Sequence, residues 1–127
     1  MTISIIDVII ISNIDIEEAD AVAREKFQTL TEQMFYILLC LQRECCGVDV
    51  MDRVERMTEG RVVIGPGTLY SLLESFQNEG FIQETRVEGR RRSYQITQRG
   101  RLRLEEEVRR LRRQTEDYVK YGEGVIA

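Results

Sequence analysis

Between Gly65 and Gly80 the chain carries an apolar pattern that suits a helix. Leu69, Leu72, Leu73 and Phe76 stand at i, i+3, i+4 and i+7, so a 3.6-residue turn gathers all four on one side. Pro66 opens the segment, and proline is tolerated in a first helical turn because its missing N–H would be unpaired there anyway. Gly80 ends it. The other side holds Thr68, Tyr70, Ser71, Glu74 and Ser75. Such a helix is anchored from behind and leaves its front free, so the flanking sequence must supply the apolar support.

The flanks supply it. Thr31 is placed to cap a helix running from Glu32 to Arg43, where Met34, Phe35, Ile37, Leu38, Leu39 and Leu41 leave a narrow polar side and predict a largely buried helix. Val48 to Glu59 reads as a second helix, with Val50, Met51, Val54 and Met57 at three- and four-residue steps and Gly60 after it. Beyond Gly80, Phe81–Val87 and Arg91–Ile96 form a hairpin around Glu88-Gly89, with Tyr94 and Ile96 on one face of the second strand. Thr97 caps a last helix that reaches about Tyr121, and Gly100 should weaken its first turn. Along it Leu104, Val108, Leu111, Thr115 and Tyr118 are spaced 4, 3, 4, 3. This heptad seam has no other helix left in the chain to meet, which predicts dimerisation through those five residues.

The expected fold class is therefore mainly α with a small antiparallel β-hairpin: a winged helix-turn-helix plus a C-terminal dimerisation helix. Residues 1–26 read as an N-terminal extension, 27–98 as the winged domain, 99–121 as the dimerisation helix and 122–127 as a tail. Within the extension, 3–12 is rich in Ile and Val and favours a strand. Asp15 to Phe27 is acidic and helix-prone. A strand pairing across a dimer and a flexible arm both fit this segment.

Charge must be divided to be read. The whole chain has a net charge of -4, and residues 1–30 alone hold six acids against two bases. Residues 86–113 hold eleven Arg and four Glu. A phosphate backbone senses that local surplus, because charges beyond roughly 8–10 Å are screened. Arg109–Arg113 fit a solvated helix face. Arg90, Arg91 and Arg92 instead cluster beside a turn without compensating acids.

Several function classes are excluded at this level. The chain has no His, so the commonest general base and metal ligand is missing. There is no phosphate-binding loop, no nucleophile beside a base and no metal-ligand spacing, so the reading is no enzyme, no cofactor and no metal. Glu105-Glu106-Glu107 reads as a solvated helix face. The apolar run at residues 3–11 is too short to span a membrane and carries Asp7. It lacks the features of a secretory leader, so the expected location is the cytoplasm. Three cysteines suit a reducing compartment. Cys40 reads as an inert core residue. Cys45 and Cys46 are placed near a helix end, where exposure beside Arg43 would open an alternative as a thiol-based redox sensor.

What remains is recognition of duplex DNA. The major groove, roughly 12 Å wide, admits one α-helix. Thr68, Ser71 and the Tyr70 hydroxyl at a helix N-terminus can reach phosphates or base edges, aided by the partial positive charge there. Arg90, Arg91 and Arg92, with Tyr94 on the second wing strand, are the candidate wing contacts. An alternative is a winged-helix protein-interaction module without DNA binding; the acidic extension allows it and the wing arginines oppose it.

The chain also resembles the PadR family of winged-helix regulators over residues 31–100. The resemblance is carried by Leu30 to Leu38, by Gly65-Pro66-Gly67-Thr68-Leu69-Tyr70-Ser71-Leu72-Leu73, by Glu79-Gly80-Phe81-Ile82, by Glu88 to Tyr94 and by Ile96-Thr97-Gln98-Arg99-Gly100. It implies a repressor that binds a palindromic operator as a homodimer. It also implies DNA contacts at Thr68, Tyr70 and the wing arginines, one C-terminal helix for dimerisation, and a small aromatic effector near the dimer interface. The chain departs from some drug-binding members in having no Trp to stack on a ligand.

Overall fold

The chain divides into two units between Leu30 and Thr31. The computed structural model describes residues 29–123. The second unit is therefore described by itself, and the strand and helix expected within 1–27 lie outside the described residues.

Helix α1 spans Glu32–Cys40, and its N-terminus is closed by Thr31, whose Oγ1 accepts a hydrogen bond from the Met34 N–H at 3.1 Å. It stops short of the expected Arg43. The Leu41 carbonyl accepts from the Ile96 N–H at 2.7 Å, which ties the end of the helix to the wing. The chain then extends into a short strand β1, Cys45–Cys46, before helix α2, Gly47–Met57. Helix α3 is Pro66–Asn78, strand β2 Ile82–Glu88, strand β3 Arg91–Ile96 and helix α4 Gln98–Tyr121.

The three strands form one antiparallel sheet in the order β1-β3-β2. Cys45 pairs with Tyr94 and Cys46 with Ser93 on one side of β3. On the other side Ile82 pairs with Ile96 and Glu88 with Arg91, with an irregularity between Glu84 and Arg86. The hairpin turn is thus Gly89-Arg90, one residue later than expected, which puts Arg90 at the tip.

The core lies where α1, α2 and α3 meet the root of the wing. Ile37, Leu38, Leu41, Val50, Val54, Leu69, Leu73, Phe76 and Ile82 are fully buried, and the Phe76 and Phe81 rings lie 6.2 Å apart. Burying side chains of this size supplies the main driving force, about 1.5–3 kcal/mol each. Met34, Phe35 and Leu39 are half-buried, alongside the fully buried Ile37 and Leu38 of α1. Thr58, unmarked in the sequence pattern, closes the loop after α2. Its Oγ1 donates to the Val54 carbonyl at 2.8 Å and accepts from the Val62 N–H at 3.1 Å.

Helix α4 starts as expected, with Thr97 Oγ1 accepting from the Gly100 N–H at 3.1 Å. Its first half packs on α1 and β3, and Leu104 is buried within the chain's own fold. The expectation that the heptad stripe has no partner inside the chain fails at Leu104. Val108 is half-buried, and residues 111–121 are all exposed, Leu111, Thr115 and Tyr118 among them. The acidic triplet also needs correcting. Glu105 and Glu106 are exposed, but Glu107 is buried, 1% exposed, and paired with Arg103 at 3.5 Å and with Arg110. A buried carboxylate needs partners of this kind. No helix among the described residues is long and apolar enough to cross a membrane.

Candidate nucleic-acid interface

Helix α3 has two faces as its sequence predicts, although Leu72 of the expected core stripe and Ser75 of the expected open side are both half-buried. Leu69, Leu73 and Phe76 are buried, while Thr68, Tyr70 and Ser71 are exposed on the first two turns. Gly65 precedes it as N-cap, Pro66 occupies the first turn, and that turn holds no acidic side chain. The unpaired N–H groups and the helix dipole therefore leave this end attractive to an anion. Tyr70 is 45% exposed. One edge of its ring rests over the Gly47 backbone at the start of α2, and the remainder faces outward.

The wing lies beside this helix end, joined through the same start of α2. Arg91 Nη2 is 3.1 Å from Cys46 Sγ and 3.6 Å from Asp49 Oδ2. Arg92 Nη1 is 2.9 Å from Glu84 Oε2. Arg86 is 3.6 Å from both Glu44 and Glu88. The expectation that the wing cluster lacks compensating acids is thus wrong for Arg91 and Arg92. Their acids come from α2 and from the neighbouring strand, which linear spacing does not reveal. Only Arg90 of the three makes no ion pair among the described residues. The pairs are solvent-exposed, and such pairs contribute only about 0–1 kcal/mol, so a phosphate can replace the carboxylate at modest cost.

Tyr94 leaves the set of candidate contacts. It is 5% exposed, and burial, followed by the Glu84 carboxylate, pushes its phenol pKa up. It lies on the central strand β3, paired with Cys45 of β1 and Glu84 of β2.

The cysteines are corrected too. Cys45 and Cys46 do lie at a helix end, with Cys46 as the N-cap of α2, but both form β1 and are buried, as is Cys40. Burial, reinforced by Cys45, pushes the Cys40 thiol up to about 11. Burial likewise raises Cys45, and the cation that partly offsets it is Arg53 rather than Arg43. A raised thiol pKa lowers the thiolate fraction at neutral pH, which is the reactive form. In the folded chain at pH 8, Cys40 and Cys45 are therefore expected to alkylate at least tenfold more slowly than in denaturant, read by mass spectrometry of the labelled peptides. Equal rates would show that these thiols are not buried in solution. The same geometry opposes the redox-sensor alternative.

With this geometry in place, the comparisons are specific. The family model for the PadR-like transcriptional regulators matches residues 37–106, which takes in α2, α3, the whole wing and the start of α4. No match is found among the curated proteins. Among solved structures, a transcriptional regulator from Clostridium thermocellum is similar with a TM-score of 0.62 and 20% identity, covering 72% of this chain and 93% of that one. A PadR-family transcriptional regulator from Eggerthella lenta is similar at 0.61 and 20%, covering 87% and 92%. A PadR-like transcription factor from Bacteroides fragilis is similar at 0.56 and 21%, covering 79% and 94%. At these identities the structures speak for the fold, a winged helix with four helices and a three-stranded sheet. The family match spans more than half of the 127 residues, and the chain belongs to the PadR-like family of transcriptional regulators.

Proposed function

We propose that the chain is a sequence-specific DNA-binding repressor that acts as a homodimer on a palindromic operator in the cytoplasm. The observation that carries this reading is the exposed first turns of α3, bearing Thr68, Tyr70 and Ser71, set beside an arginine-bearing wing. Helix α3 enters the major groove with those side chains toward base edges and phosphates. Arg90 at the wing tip contacts the backbone or minor groove, and Arg91 and Arg92 exchange their carboxylates for phosphate. The reading involves no catalysis and no cofactor.

The dimer half of the reading is supported by α4. Leu111 and Tyr118 stand exposed at 41% and 45% on the helix whose heptad spacing extends beyond the chain's own core. Leu104 and Val108 serve the inner end of that stripe, with Leu104 committed to the protomer. A small aromatic effector near this interface rests on the family resemblance alone.

Selection of bound duplexes from a random pool tests the proposal, and it should return a two-fold-related site with half-sites about one helical turn apart or a multiple of it. Recovery of no duplex above background would reject it. On the recovered duplex, Arg90→Ala should lower the slope of log affinity against log salt by about 1, since each neutralised phosphate contributes about 0.9. An unchanged slope would remove the wing tip from the contact.

A further inference from the structure

We propose that Gly47 is the positioning residue of the interface: by carrying no side chain, it lets the Tyr70 ring lie over the start of α2 and fixes where the phenol meets DNA. This rests on the DNA-binding reading above.

The usual conformational reason for a glycine is absent at residue 47. Gly47 lies in the first turn of α2, is buried, and has a backbone outside the left-handed region, so the backbone alone admits any residue. Alanine would be the better helix former. The reason for the missing Cβ is therefore spatial. A Cβ built on Gly47 would lie 2.9 Å from the Tyr70 hydroxyl oxygen, 3.0 Å from Cε1 and 3.2 Å from Cζ. The three nearest atoms all belong to that one side chain. They are also its far end, on a helix whose back is locked by Leu69 and Leu73. The ring can swing out of the way about its side-chain torsions without displacing the helix. A methyl group at residue 47 would thus leave the fold nearly intact and move the Tyr70 hydroxyl away from where the interface needs it.

The neighbours make that placement consequential. Cys46 and Asp49 flank Gly47 and hold Arg91 of the wing at 3.1 and 3.6 Å. One turn of α2 therefore meets both the recognition helix and the wing. Tyr70 touches its middle and Arg91 its edges.

A double-mutant cycle on the full chain tests the inference, with a selected duplex as the probe. Gly47→Ala should weaken binding about tenfold, the size of one lost specific contact, and flatten base preference at the positions Tyr70 reads. In a Tyr70→Ala background, Gly47→Ala should have no further effect, because the residue it acts through is gone. An equal loss in both backgrounds would overturn the proposal, as would unchanged affinity in the single variant. If Gly47→Ala alone unfolds, restored folding in the Gly47→Ala, Tyr70→Ala double variant supports the contact, and unfolding in both overturns it. Failure of the wild-type chain to bind any duplex would instead reject the DNA-binding reading, which separates the two outcomes.

Discussion

Gly100→Ala is expected to lower the stability of the chain by about 3 kcal/mol, read as a fall in the midpoint of urea unfolding with an unchanged slope. In isolation the opposite sign is predicted, because Gly in a helix costs about 1 kcal/mol relative to Ala. Packing reverses it. A Cβ on Gly100 would stand 2.1 Å from the Phe81 carbonyl oxygen and 2.7 Å from Ile96 Cγ1. The Phe81 carbonyl cannot retreat easily, since it accepts the Thr97 N–H at 2.9 Å while the Phe81 N–H donates to Phe76 at 2.9 Å. The clash is with backbone, where α3, the wing and α4 come together, so relief requires moving an element rather than a side chain. A Gly100→Ala chain as stable as wild type would mean that α4 does not start against Phe81.

Leu111→Glu should separate a dimer into folded protomers. The side chain is 41% exposed in the protomer, so a carboxylate there is hydrated in the monomer and loses that hydration only on association. Burial of an unpaired polar group costs at least about 3 kcal/mol in such a setting, which is more than a hundredfold in the dimer dissociation constant. Sedimentation should show the monomer mass with an unchanged helical spectrum. Leu104→Glu separates the two roles of the stripe: Leu104 is buried within the protomer, so that variant should unfold rather than dissociate. A Leu111→Glu chain that remains dimeric would place the interface elsewhere.

The elements that their own residues define were the legible ones. The α3 stripe, Pro66 at its start, the Thr31 and Thr97 caps and the 98–121 helix all depend on periodicity or local hydrogen bonding, and all stand in the structure. What escaped was decided between elements. Cys45 and Cys46 form only two residues of strand paired with β3, and both are buried, which no run of two residues announces. Tyr94 has the alternation of a wing residue, yet it sits on the central strand with its side chain buried. Arg91 and Arg92 find Asp49 and Glu84 through folding, so a charge tally along the chain overstated their freedom. The heptad spacing continues through Leu104 to Tyr118, but spacing cannot say which apolar residues meet the chain's own core. Gly100 looks like an ordinary helix-weakening glycine, and Gly47 like a residue just ahead of the helix read from Val48, until Phe81 and Tyr70 are brought against them.

The central claim is that the front of α3 and the wing tip receive duplex DNA. Amide hydrogen exchange of the full chain, with and without a duplex recovered by selection, tests it most directly. Residues 67–71 and the Gly89-Arg90 turn should exchange more slowly when DNA is present. Slowing confined to 98–121, with those two segments unchanged, would contradict it.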